Sequence, residues 1–195
     1  MNRIESLAQQ VESLFKELDD DIARFSGWSG IHCAFGCGKC CLKPDIEASP
    51  LEFLPFALEV YRRNELQGWL QKVKEANTTC VIFNEQQPGA GKCTEYLHRG
   101  MICRLFGFSA RRNKYNRREM ITCSVIKEQQ STDFQRVEEK INEGGEIPVA
   151  ADYYSRLRGI DPGLGTRLFP INQAIRTALE TVDSFFYYES GHSAG

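Results

Sequence analysis

Four of the chain's eight cysteines fall within nine residues, in the run Cys33-Ala-Phe-Gly-Cys37-Gly-Lys-Cys40-Cys41. Cys80, Cys93, Cys103 and Cys123 follow at wide intervals. Exposed thiolates oxidise and crosslink, so a loop this dense in sulfur implies a disulfide set or a metal. The start Met1-Asn-Arg-Ile-Glu-Ser-Leu lacks the apolar run and small-residue cleavage site of a secretory leader. No segment approaches the roughly 20 apolar residues needed to span a bilayer. We therefore expect a cytoplasmic protein in a reducing compartment, where structural disulfides are rare. That expectation favours metal.

Thiolate is a soft anionic donor suited to zinc, iron and iron–sulfur clusters, whereas magnesium or calcium would want oxygen. The two-residue gap in Cys37-Gly-Lys-Cys40 lets both sulfurs face one ion, and Gly38 permits the tight turn. Four-thiolate zinc sites usually draw two such pairs from separate places. Here Cys33 joins the same loop, and the remaining cysteines are isolated. Three thiols from one loop plus one remote cysteine is closer to the way iron–sulfur clusters are held. The cofactor expected is an iron–sulfur cluster or iron, with zinc as the alternative. Adjacent Cys40 and Cys41 are expected to point in different directions, leaving Cys41 to a second metal, a bridge between metals or simple packing.

With 195 residues, 42% of them hydrophobic, the chain can bury one ordinary core flanked by helices. The net charge of −2 gives no reason to invoke bulk attraction to nucleic acid or membrane. Ile4, Leu7, Val11, Leu14, Leu18, Ile22 and Phe25 recur at helical steps, predicting an amphipathic helix over 2–25. Gly27, Gly30, Gly36 and Gly38 then mark a loop, with Trp28, Ile31 and Phe35 available to screen the cysteines. Ser49-Pro50-Leu51-Glu52 is a capping-box start for a helix running to about residue 75, with Pro55 bending its early turns. Thr79–Phe83 and Cys93–Leu97 read as the strands of a β-hairpin carrying Cys80 and Cys93 across a turn-rich connection. Phe134, Val137 and Ile141 precede a Gly144-Gly145 stop, a short helical piece covers 150–158, and Pro170 opens a last helix. Residues 191–195 are expected to fray. The fold class is thus mainly α with a small β-hairpin, an α+β metal-binding domain. Its parts are a helix in 1–30, the cysteine domain in 31–125 and a helical extension in 126–195.

Three other motifs carry less. Gly89-Ala-Gly91-Lys92 lacks the first glycine of a phosphate loop, and Cys93 stands where a Ser or Thr would hold magnesium. His32 and His98 neighbour cysteines, but eight thiols already suffice, and His192 lies in the tail. The Asp19-Asp20-Asp21 run reads as a solvated helix face. Arg111, Arg112, Lys114, Arg117 and Arg118 around Tyr115 read as solvated or paired with neighbours such as Glu119, which makes nucleic acid an improbable partner. A redox or protein partner is expected but not specified, and no catalytic residue is evident.

The gaps in Cys33-x3-Cys37-x2-Cys40 also match radical-SAM enzymes. Lys39 stands where those carry an aromatic residue, however, and the helical pattern does not supply their βα-repeat barrel. The ordered cysteine set resembles the YkgJ-type cysteine-cluster family, a zinc- or iron-chelating domain. The resemblance covers about residues 31–125: Cys37-Gly-Lys-Cys40-Cys41, Ile46-Glu-Ala-Ser49-Pro-Leu-Glu52, Cys80, Cys93-Thr-Glu-Tyr96, Arg99-Gly-Met-Ile-Cys103-Arg104-Leu-Phe106-Gly107 and Cys123. It implies that Cys33, Cys37, Cys40, Cys41, Cys80, Cys93, Cys103 and Cys123 are metal ligands. It also implies that Arg99 and Arg104 are charged partners beside them, where cations offset thiolate charge. Two departures are visible: three residues separate Cys33 from Cys37 where the family often has two, and Arg99-Gly100 stands where it has Arg-Pro. The same family resembles the cysteine-rich part of flagellin lysine methylases, which suggests that some members are enzymes.

Overall fold

In the computed structural model, residues 1–33, 37–88 and 90–189 are described. Readings that fall on Phe35, Gly36, Gly89 and the tail from residue 190, His192 included, lie outside the described residues. In chain order the elements begin with α1 (Arg3–Ser29), β1 (Glu47–Ala48), a 3-10 turn (Pro50–Phe53), α2 (Leu54–Arg62) and α3 (Leu66–Glu75). Then come β2 (Phe83–Gln87), β3 (Ala90–Cys93), a second 3-10 turn (Tyr96–His98), α4 (Met101–Leu105), β4 (Ser109–Arg112) and β5 (Arg118–Ile121). The chain closes with α5 (Ser124–Gln129), α6 (Ser131–Lys140), α7 (Ala150–Ile160), α8 (Pro162–Gly165), β6 (Phe169–Pro170) and α9 (Ile171–Glu189). The fold is mainly helical with small antiparallel strand pairs, as the sequence suggests. Among the described residues no helix is long and apolar enough to cross a membrane.

The chain divides into two compact units. The first comprises Met1–Glu12, Gly36–Gly100 and Leu157–Gly195; the second comprises Ser13–Phe35 and Met101–Arg156.

In the first unit, α2, α3 and the first 3-10 turn pack on α9. Phe53, Leu54, Phe56 and Val60 are buried, as are Ile175, Leu179 and Val182 of α9. Tyr61 stacks on Phe186 with ring centroids 4.1 Å apart. The Ser49 capping box forms: the Glu52 carboxylate accepts from the Ser49 backbone N–H at 2.8 Å and its hydroxyl at 3.1 Å. It opens a 3-10 turn, and the helix expected to reach residue 75 breaks at Asn64. There φ is +56°, and the Asn64 and Glu65 N–H groups bond the Tyr61 and Val60 carbonyls at 2.9 Å each. That is a Schellman stop with Asn in the left-handed position usually taken by Gly.

The predicted hairpin also shifts along the chain. Its strands are 83–87 and 90–93, with Phe83 opposite Cys93 and Glu85 opposite Gly91. Cys80 lies in a turn before β2, and Tyr96–His98 coils instead of extending. A second pairing not foreseen from the sequence joins β1 to β6, Glu47 opposite Pro170.

In the second unit a core of Phe25, Ile31, Ala110, Met120, Ile126, Val137, Ile141 and Ile147 is assembled from α1, the β4–β5 hairpin, α5, α6 and the chain after α6. The basic stretch forms the β4–β5 hairpin. Arg111 meets Glu119 at 3.1 Å and Arg118 donates to the Gly145 carbonyl at 2.9 Å, so much of its charge is locally engaged.

Candidate metal centre

Two glycines let the cysteine loop lie against the hairpin of the first unit. Cys37 forms a parallel bridge with Gly91. A Cβ at Gly38 would stand 2.1 Å from Phe83 Cε2, and one at Gly91 would stand 2.3 Å from the Asn84 carbonyl oxygen. Only chains lacking side chains at both points can approach this closely. Beyond the bridge the loop turns, with Cys41 N–H donating to Gly38 O at 2.9 Å, and Cys80 N–H reaches Cys41 O at 3.4 Å. On the far side, Phe83 N–H donates to Cys80 O at 3.0 Å and Thr94 N–H to Ile82 O at 2.9 Å. These bonds gather the backbones of Cys40, Cys41, Cys80 and Cys93 at the base of one hairpin.

The sulfurs follow. Cys40 Sγ and Cys41 Sγ lie 4.0 Å apart, so the turn brings together two side chains that an extended chain would splay. Cys40 is held down to about pKa 6, chiefly by the hydrogen bond with the Cys41 thiol and further by backbone N–H groups and the Arg99 charge. Burial pushes Cys80 up to about 11, and the charges of Cys93 and Cys40 add to the rise. Burial also raises Cys93, with Arg99 opposing. Mutual repulsion among these thiolates is the condition that a bound cation reverses. Arg99, whose guanidinium carbon lies 3.9 Å from the Tyr96 ring centroid, is thus in electrostatic reach of both Cys40 and Cys93.

The donor chemistry fits a soft metal: four sulfurs from three chain segments, one of them ionised near neutrality. Among the described residues, no group of three or more Cys, His, Asp or Glu side chains is yet closed to metal-holding geometry. No disulfide joins any of the eight cysteines.

The other predicted residues lie in the second unit. Cys33 is exposed. Cys103 sits on α4. Cys123 caps α5, its Sγ accepting from Ile126 N–H at 3.5 Å, and packs against the core. Arg104 is buried, ion-paired with Asp19 and lying 4.6 Å from the centroid of the Phe15 ring. Asp21 accepts from the Tyr153 hydroxyl and pairs with Arg24. The acidic run is therefore not simply a solvated face: α1 directs Asp19 and Asp21 toward partners far away in sequence, which no local pattern announces.

A mainly helical domain with a sulfur-rich loop docked on a hairpin defines a class of cysteine-rich metal-chelating proteins. The family model CxxCxxCC, described as "Putative zinc- or iron-chelating domain", matches residues 32–139. The chain belongs to that family. No curated protein sequence matches it, and no solved structure does.

Proposed function

We propose that Cys40, Cys41, Cys80 and Cys93 hold iron as an iron–sulfur cluster, used for electron transfer or to support a modification reaction in a reducing, cytoplasmic setting. The observation that carries this reading is the gathering of these four thiols at one hairpin base beside Arg99. When bound, the cluster would supply one-electron chemistry. The chain's own residues bind it, bury it and offset its charge. Cys37, bridged to the same hairpin, brings more sulfur to this unit than one zinc ion needs.

A second reading, a zinc centre of structural or storage role whose helices recognise a protein, draws on the Cys40–Cys41 separation. A tetrahedral zinc with about 2.3 Å bonds places its sulfurs about 3.8 Å apart, and the two sulfurs stand at 4.0 Å.

One experiment separates the two: anaerobic purification from iron-replete cells, with elemental analysis, acid-labile sulfide assay and a visible spectrum. A brown protein with iron, sulfide and a charge-transfer band supports the first reading. A colourless protein carrying stoichiometric zinc overturns it in favour of the second, and a metal-free protein sinks both.

A further inference from the structure

His32 and Cys33 stand apart from the first-unit thiols, in the second unit. His32 is exposed, and its Nδ1 lies 3.0 Å from the Gly30 carbonyl oxygen. A carbonyl can only accept, so the proton of the neutral ring must sit on Nδ1, which leaves the lone pair on Nε2. A metal-binding histidine is commonly prepared this way, one ring N–H donated to a backbone carbonyl and the other nitrogen presented outward.

The backbone beneath it is fixed as well. The Gln130 side chain, just past α5, accepts from His32 N–H at 3.0 Å and donates to His32 O at 2.7 Å. This two-point clamp spans 98 residues of sequence, and buried Ile31 anchors the chain immediately before it. A surface histidine without a task needs neither a fixed ring proton nor a clamped backbone. The next residue is Cys33, whose exposed thiol is a soft donor.

We propose that His32 Nε2 and Cys33 Sγ form a nitrogen–sulfur donor pair for a borderline divalent cation, zinc or ferrous iron, independent of the first-unit thiols. With two protein ligands the site is open, completed by water, and exchanges its metal readily, in contrast to a four-thiolate centre.

The test uses the full-length protein labelled with 15N-histidine, carrying whatever metal it tightly retains, and zinc as the probe. Long-range 1H–15N spectra assign His32 by its loss in H32Q. The expected result is a neutral ring protonated at Nδ1, an Nε2 signal that moves on adding zinc, and zinc affinity lowered at least about tenfold by H32Q and by C33S alike. A proton on Nε2, an unmoved signal, or a C33S protein that binds as wild type each overturns the pair. In C40A/C41A the His32 response should persist while the tightly held metal is lost. A C40A/C41A protein that keeps its tight metal defeats the first-unit reading alone.

Discussion

Cys40 Sγ and Cys41 Sγ are 4.0 Å apart, neighbours in sequence turned to one side by the bend that begins at Gly38. A pair so placed chelates one ion, and removing either sulfur removes the chelate. C40A and C41A should therefore each lower metal affinity at least about tenfold, a loss that even outer-shell partners can produce. Elemental analysis after exposure to a chelator measures it. Full metal retention in C41A would return Cys41 to a packing role.

The same contact sets a reactivity order in reduced, metal-free protein. Cys40 ionises near 6, against 9.0 for an ordinary thiol, because Cys41 and Arg99 favour its thiolate, whereas burial holds Cys80 protonated to about 11. Thiolate is the reacting form, so alkylation with iodoacetamide at pH 7 should label Cys40 well before Cys80. Linkage gives the stability effect: Cys40's contribution is complete above pH 9, declines below it and is lost as pH falls through 6. Peptide mapping after timed alkylation reads the order, and equal labelling of the two would contradict it.

The helices were legible because each rests on local chemistry: the three- and four-residue apolar steps of α1, the Ser49–Glu52 capping box, Pro170 before α9. The break at Asn64 was not, since Asn in a left-handed position carries a weaker signal than Gly. The hairpin was legible as a hairpin but misplaced, because its strands hold Asn84, Glu85, Gln86 and Gln87 and show no apolar alternation. Its register is set by Gly91, whose missing side chain admits the facing strand. The cysteines announced metal chemistry, but the sharing of five in one unit and three in the other depends on packing between distant segments.

That role for Gly91 makes it a sensitive position. An added methyl would meet the Asn84 carbonyl oxygen at 2.3 Å and Glu85 Cα at 2.9 Å, both parts of a backbone that cannot swing aside. At Gly38 the nearest obstacles are atoms of the Phe83 ring, which can rotate. G91A should thus cost more than G38A, about 1–3 kcal/mol by overpacking, and should weaken metal retention by disturbing the Cys37 bridge. Chemical denaturation of both variants, with metal content measured alongside, tests the ranking. A G91A protein as stable as wild type would mean that the strands meet in another register.

Asp19 and Arg104 illustrate a charge whose cost is carried by its partner. The Arg104 side chain is 5% exposed and Asp19 44%, so the guanidinium has left water while the carboxylate has not. The Phe15 ring, its centroid 4.6 Å from the guanidinium carbon, offers partial compensation. Breaking a fully buried pair costs about 3–5 kcal/mol and an exposed one at most about 1, which places D19N near 2 kcal/mol. R104M removes the buried charge itself, and its longer apolar chain still covers Phe15. The double variant D19N/R104M should therefore be more stable than D19N alone. A thermodynamic cycle from urea melts measures the coupling. If D19N melts like wild type, Arg104 takes its stability from other contacts, and the acidic run on α1 reverts to the solvated face its sequence suggested.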